Sequence, residues 1–128
     1  MTKRILIVDD ALIMRKRIGE IALRAGWEVA GEAINGEDAI AVYERERPDL
    51  VTLDIVMPKV DGVTALKRLL VLDPDARIIM ISAVDQRQKL AECISSGAMD
   101  FIVKPFDGER LQALFSRYLE RLTGDLPQ

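Results

Sequence analysis

Residues 5–10 read Ile-Leu-Ile-Val-Asp-Asp, four branched aliphatic side chains in unbroken succession closed by two carboxylates. An apolar run without polar alternation offers no face to water, so it predicts a strand buried on both sides, as in a parallel sheet. Three further runs of this kind follow, at Leu50–Leu53, Ile78–Ile81 and Phe101–Val103, with a weaker one over Val29–Ala33.

Amphipathic stretches of helical length separate these runs. Leu12 to Ala25 carries apolar residues at Ile13, Met14, Ile18, Ile21, Ala22 and Ala25. Asn35 to Arg47 opens on a capping residue, Asn35, with Glu37 and Asp38 where the helix dipole favours negative charge. Val63 to Leu72 aligns Leu66, Leu69 and Leu70, and Gln86 to Ser96 ends at Gly97, a C-cap residue. Glu109 to Leu122 spaces Leu111, Leu114, Phe115, Tyr118 and Leu122 helically. Strand and helix thus alternate five times. The pattern predicts an α/β fold, a doubly wound, flavodoxin-like five-stranded parallel sheet of order 2-1-3-4-5 with helices on both faces. Its functional site belongs at the carboxyl ends of the strands, beside the switch point between strands 1 and 3.

The chain has 128 residues, of which 49% are apolar and 30% charged, with a formal net charge of −3. That size suits one domain, placed at residues 1–122, followed by a short tail over 123–128 that is expected to fray. The slight acidity argues against nucleic acid as a partner. With no His and a single Cys, imidazole catalysis, His-bound metals, disulfide frameworks and Cys-clustered zinc are excluded, and a cytoplasmic setting is expected. Lys3 and Arg4 precede only a short apolar run, and no run approaches the roughly 20 apolar residues of a membrane span, so no membrane association is expected. Cys93, Trp27 and most Met residues read as packing groups.

The predicted strand ends carry the chemistry. The first runs into Asp9 and Asp10, the third into Asp54, the fourth into Ser82 and Ala83, and the fifth into Lys104 and Pro105. Taken singly, each has a plainer reading: a turn with a helix cap at Asp10, a loop carboxylate at Asp54, a solvated ammonium at Lys104. Taken together they gather three carboxylates, a hydroxyl and an amine at one edge. Clustered carboxylates repel one another unless a cation joins them, and an all-oxygen ligand set suits Mg²⁺. An Asp beside Mg²⁺ and a Lys is equipped to accept a phosphoryl group, with Ser82 donating to one of its oxygens.

At these residues the sequence resembles the response-regulator receiver domains of two-component signalling, and within them the single-domain chemotaxis regulators. The resemblance spans Ile5 to about Leu122. It rests on Ile-Val-Asp-Asp at 7–10, Leu-Asp-Ile-Val-Met-Pro at 53–58, Asp61-Gly62, Ile-Ser-Ala at 81–83 and Val-Lys-Pro-Phe at 103–106. It implies Asp54 as phosphoacceptor, with Lys104 and Ser82 as its catalytic partners. It implies Mg²⁺ ligation by Asp9, Asp10, Asp54 and the backbone carbonyl of Val56. Ser82, Ala83, Phe101 and Pro105 would form the switch, with a cis bond at Lys104-Pro105 and Gly62 relieving strain in its turn.

The implied partners are a histidine kinase, of the type that serves chemotaxis, and a downstream protein such as a flagellar switch component. Without an attached effector, output would pass through the face of the fourth helix, fifth strand and fifth helix, with Lys89, Glu92, Ser95, Phe101, Arg110 and Ser116 as contacts. The protein would be a monomer, or a dimer on activation, and no enzyme beyond catalysing its own phosphorylation and dephosphorylation. Other readings are a stand-alone receiver in another phosphorelay and a Mg²⁺-dependent aspartyl-phosphate phosphatase. The latter expects a second Asp two residues after its nucleophile, where this chain has Ala11 and Leu12 after Asp9-Asp10. A dinucleotide oxidoreductase would need G-x-G-x-x-G after the first strand, where Asp9-Asp10-Ala11 stands instead.

Overall fold

The computed structural model describes residues 2–124. In order, the elements are β1 (Arg4–Val8), α1 (Leu12–Arg24), β2 (Glu28–Ala33), α2 (Gly36–Glu46), β3 (Leu50–Asp54), α3 (Gly62–Leu72), β4 (Ile78–Ala83), α4 (Arg87–Ser96), β5 (Asp100–Lys104) and α5 (Gly108–Thr123). The strands pair in parallel as β2-β1-β3-β4-β5, the predicted order. β1 and β3 lie side by side although a strand and two helices separate them in the chain, and that crossover is the switch point.

The unbroken apolar runs are explained by two cores, one on each face. Ile5 and Ile7 of β1 point into a cluster with Ile18, Ile21, Leu50, Ile79, Ile81, Ile102, Leu111 and Phe115, under α1 and α5. Leu6 and Val8 point the other way, into Val42, Val51, Leu53, Leu66, Leu69, Met80 and Cys93 under α2, α3 and α4. Trp27 fills the first core and donates its indole N–H to the Phe115 carbonyl at 2.9 Å. Cys93 is fully buried in the second, where loss of hydration pushes its thiol up to about 11.

The helix signals act as expected at α2 and α4. The Asn35 side chain accepts from the Asp38 N–H at 2.8 Å, and Gly97 closes α4 in the left-handed conformation at φ 119°. α5 runs one residue beyond its predicted end, to Thr123, and Gly124 caps it. The rest of the predicted tail lies outside the described residues. In α1 the first apolar residue does not join the core. Ile13 is 83% exposed, because it lies about 100° round the helix from Met14, which packs against the first core with Ile18, Ile21 and Ala22.

A polar clasp joins α2 to the end of α3, where the Tyr43 hydroxyl donates to the Asp73 carboxylate at 2.7 Å. That bond, helped by the Asp75 N–H, holds the Asp73 carboxyl below its ordinary value of 3.8. A depressed carboxyl contributes stability above its unfolded value and loses it as pH falls through the folded one. Tyr43→Phe is therefore expected to cost about 1 kcal/mol at neutral pH. In urea titrations across pH, that difference should shrink below pH 3.8; a gap that persists in acid would contradict the assignment.

Candidate functional site

The carboxyl ends of β1, β3 and β5 bring the predicted polar groups together. Asp9, directly after β1, is 1% exposed, and Asp54, the last residue of β3, is 6% exposed. The carboxylates of Asp9, Asp10 and Asp54 each offer an oxygen, and these oxygens lie within 4.8 Å of one another. Lys104, at the end of β5, places its ammonium 3.2 Å from an oxygen of Asp9 and 3.2 Å from an oxygen of Asp54. The β4–β5 register carries it there by setting Lys104 opposite Ala83.

Asp10 does not cap α1. The cap position is Ala11, whose N–H donates instead to the Asp9 carboxylate at 2.8 Å. Asp10 stays exposed and joins the acidic group. The turn is clamped from beneath by Arg15, which donates to the Asp9 carbonyl at 2.8 Å and to Glu32 at 2.9 Å. No spacing signal in the sequence singles out Arg15 for this contact.

Burial pushes the Asp54 carboxyl above its ordinary value, and the Asp9 charge adds to it, against the pull of Lys104 and the Val56 N–H. Burial also penalises the Lys104 ammonium, but Asp54 and Asp9 outweigh it and hold the group above its usual range. The ammonium thus contacts two buried carboxylates, Asp9 and Asp54, with the exposed Asp10 carboxylate beside them. The surplus negative charge and the absence of nitrogen or sulfur donors make this a fitting site for a hard divalent cation.

Ser82 is 1% exposed at the end of β4, but its hydroxyl donates to the Ala83 carbonyl at 3.0 Å and not to Asp54. Phe101 projects outward from β5, 43% exposed. The Lys104-Pro105 peptide is cis. Apolar residues follow the strand ends at this edge. Ile13, Ile34, Val56 and Val84 are all about half exposed or more.

Gly62 corrects an expectation. Its backbone is not in the left-handed region; Lys59, at φ 64°, takes that conformation in this loop. What demands glycine is proximity, since a Cβ there would stand 2.1 Å from the Asp54 carbonyl oxygen and 2.6 Å from the Ile55 Cα. The loop is drawn in by the Gly62 N–H, which donates to Ile55 at 2.7 Å. Gly62→Ala is expected to cost about 3 kcal/mol, the upper range for overpacking against backbone. A urea midpoint near that of the unaltered protein would contradict the packing reason.

Of the predicted output contacts, Lys89, Ser95, Phe101 and Arg110 are exposed and Ser116 is half-buried. Glu92 is turned toward α3, where it pairs with Lys67. Phe101, Ile102, Arg110, Leu114 and Arg117 line a groove of about 380 Å³ between β5 and α5.

The profile of the family described as "Response regulator receiver domain" matches residues 5–116. The chain is 50% identical over 111 residues to a chemotaxis protein CheY of Thermotoga maritima, covering 87% of this chain and 92% of that one. It is 35% identical over 119 residues to the sporulation initiation phosphotransferase F of Bacillus subtilis, covering 93% and 95%. Among solved structures it is similar to one of a CheX-CheY-BeF3-Mg²⁺ complex from Borrelia burgdorferi, with a TM-score of 0.84, 39% identity and coverage of 91% and 89%.

Proposed function

The chain belongs to the response regulator receiver family, and on that premise we propose that it is a phosphorylation-activated regulator in which Asp54 takes a phosphoryl group from a histidine kinase with Mg²⁺. The observation that carries this reading is the pair of 3.2 Å contacts from Lys104 to Asp54 and Asp9, set among three carboxylates at the switch point.

In the transfer, an oxygen of Asp54 forms the new P–O bond as the P–N bond of the donor's phosphohistidine breaks, and the leaving imidazole takes a proton. Little covalent work falls to the protein, so positioning and charge neutralisation decide the rate. Lys104 neutralises one phosphoryl oxygen. Asp9, Asp10, Asp54 and the backbone carbonyl of Val56 would hold Mg²⁺, which would supply further neutralisation there. The exposed apolar side chains at this edge, Ile13 above all, give a protein donor a surface to rest on.

The phosphoryl group brings new acceptor oxygens. Ser82 turns from the Ala83 carbonyl toward them, and Phe101 moves inward into the space it leaves. This biases a pre-existing equilibrium. The change reaches a target protein through the groove of β5 and α5 with its Arg110 and Arg117. Likeness to the CheY proteins favours a chemotaxis target such as a flagellar switch component. The relative acting in sporulation favours, as a second reading, a stand-alone receiver in another phosphorelay.

Intact-mass measurement with acetyl phosphate tests the reading. The protein should gain one labile phosphoryl group in Mg²⁺ and none in its absence; no gain in Mg²⁺ would refute the proposal. The same assay addresses lifetime. Val56 and Val84 are exposed and apolar beside the acceptor, so neither orients a hydrolytic water. Val56→Asn is expected to shorten the phosphoform lifetime severalfold, and unchanged decay would count against this.

A further inference from the structure

Gln86 spends its side chain in an unexpected direction. It occupies the N-cap position of α4, yet it makes no side-chain cap to its own helix. Its amide oxygen instead accepts from the Ala83 N–H at 2.9 Å, back at the end of β4. Its own N–H donates to the Ala83 carbonyl at 3.1 Å, the same carbonyl that holds the Ser82 hydroxyl at 3.0 Å. Ala83 is thereby held on both of its backbone groups, and the Ser82 hydroxyl shares its carbonyl.

We propose that Gln86 is a positioning residue for phosphoryl uptake: it clasps the β4–α4 junction in an arrangement that withholds the Ser82 hydroxyl and the Ala83 N–H from the acceptor site, and uptake proceeds through its release. This rests on the reading of Asp54 as acceptor. Two features support it. Ala83 lies opposite Lys104 in the β4–β5 register, so its N–H sits at the strand end that carries the reacting groups. The helix joined to the clasp is also lightly held, since Cys93 is its one buried residue. Leaving the first turn of α4 without a side-chain cap costs local stability. The amide contributes instead to holding the junction closed. An element with few buried contacts opens at low free energy, so a single hydrogen bond can set its balance.

The test uses the full chain with Gln86→Leu, which removes the acceptor at similar size, and Gln86→Glu, which keeps an acceptor. Amide hydrogen exchange at Ala83 reports the clasp, and intact mass over time with acetyl phosphate and Mg²⁺ reports uptake. Gln86→Leu is expected to speed both, each by about three- to tenfold, what one hydrogen bond is worth. Gln86→Glu should keep Ala83 protected. Slow exchange at Leu53 and Leu66 confirms that each variant is folded. If Ala83 exchange does not change in Gln86→Leu, the clasp is refuted. If exchange rises while uptake keeps its rate, the positioning role is refuted. Failure of the unaltered protein to take up phosphoryl would refute the acceptor reading itself, an outcome distinct from both.

Discussion

Asp54→Asn is expected to abolish phosphoryl uptake and, without metal, to leave the protein more stable than its parent. Loss of uptake follows from losing the oxygen nucleophile, since an amide oxygen is far weaker than a carboxylate. Added stability follows from burial, which holds the Asp54 carboxyl above its ordinary value of 3.8. Between 3.8 and the raised folded value, the native state binds more protons than the unfolded one, so stability falls as pH rises through that window. At neutral pH the whole penalty of burying the charge is present, and the amide removes it. Urea titrations without metal should give a higher midpoint for Asp54→Asn at pH 7, with the gap closing toward pH 3.8. Residual uptake, or a lower midpoint at neutral pH, would contradict the account.

Lys104→Met is expected to act in the opposite sense on stability. Among the described residues the ammonium is the one cation paired with the Asp9 and Asp54 carboxylates, whose side chains are 1% and 9% exposed. Removing it leaves buried charges uncompensated, which in closed sites costs 3–5 kcal/mol; the quarter exposure of Lys104 reduces the expectation here to about 2 kcal/mol. Uptake from acetyl phosphate should fall about a hundredfold, the scale for losing one preorganised charge partner of a transferring group. Saturating Mg²⁺ should narrow the stability gap, because a cation bound to the native cluster offsets the same repulsion. Lys104→Arg should recover the stability and little of the uptake, as a planar guanidinium does not place a point charge at the same spot. A Lys104→Met protein of undiminished stability and uptake would show that the 3.2 Å contacts have no consequence.

The fold was legible because the runs from Ile5, Leu50 and Ile78 are apolar on both faces, and only a parallel sheet between two helical layers buries both. The convergence of Asp9, Asp54 and Lys104 followed from that topology, since each ends a strand at one edge. Details of direction were not legible. Ile13 and Met14 are adjacent apolar residues, and only Met14 lies on the stripe of Ile18, Ile21 and Ala22, so composition alone does not tell which of the two is buried. Asp10 satisfies the composition of a helix cap, yet Asp9 takes the local N–H because its carboxylate already faces inward. Glu92 reads as a surface charge wherever it points, and only the packing of α3 against α4 shows that Lys67 claims it. Gly62 looked like a turn glycine, whereas its need is set by the Asp54 carbonyl eight positions earlier in the chain. The engagement of Gln86 with Ala83 is a competition among hydrogen bonds at one junction, and no propensity encodes its outcome.

Asp54 itself is expected to carry the phosphoryl group. Borohydride reduces an aspartyl phosphate to homoserine, so treating the protein after acetyl phosphate and Mg²⁺ and sequencing its peptides by mass spectrometry reads out the acceptor residue. Homoserine is expected at position 54, with Asp9 and Asp10 unchanged. Homoserine at 9 or 10, or intact aspartate at 54 in protein that has gained the phosphoryl mass, would contradict it.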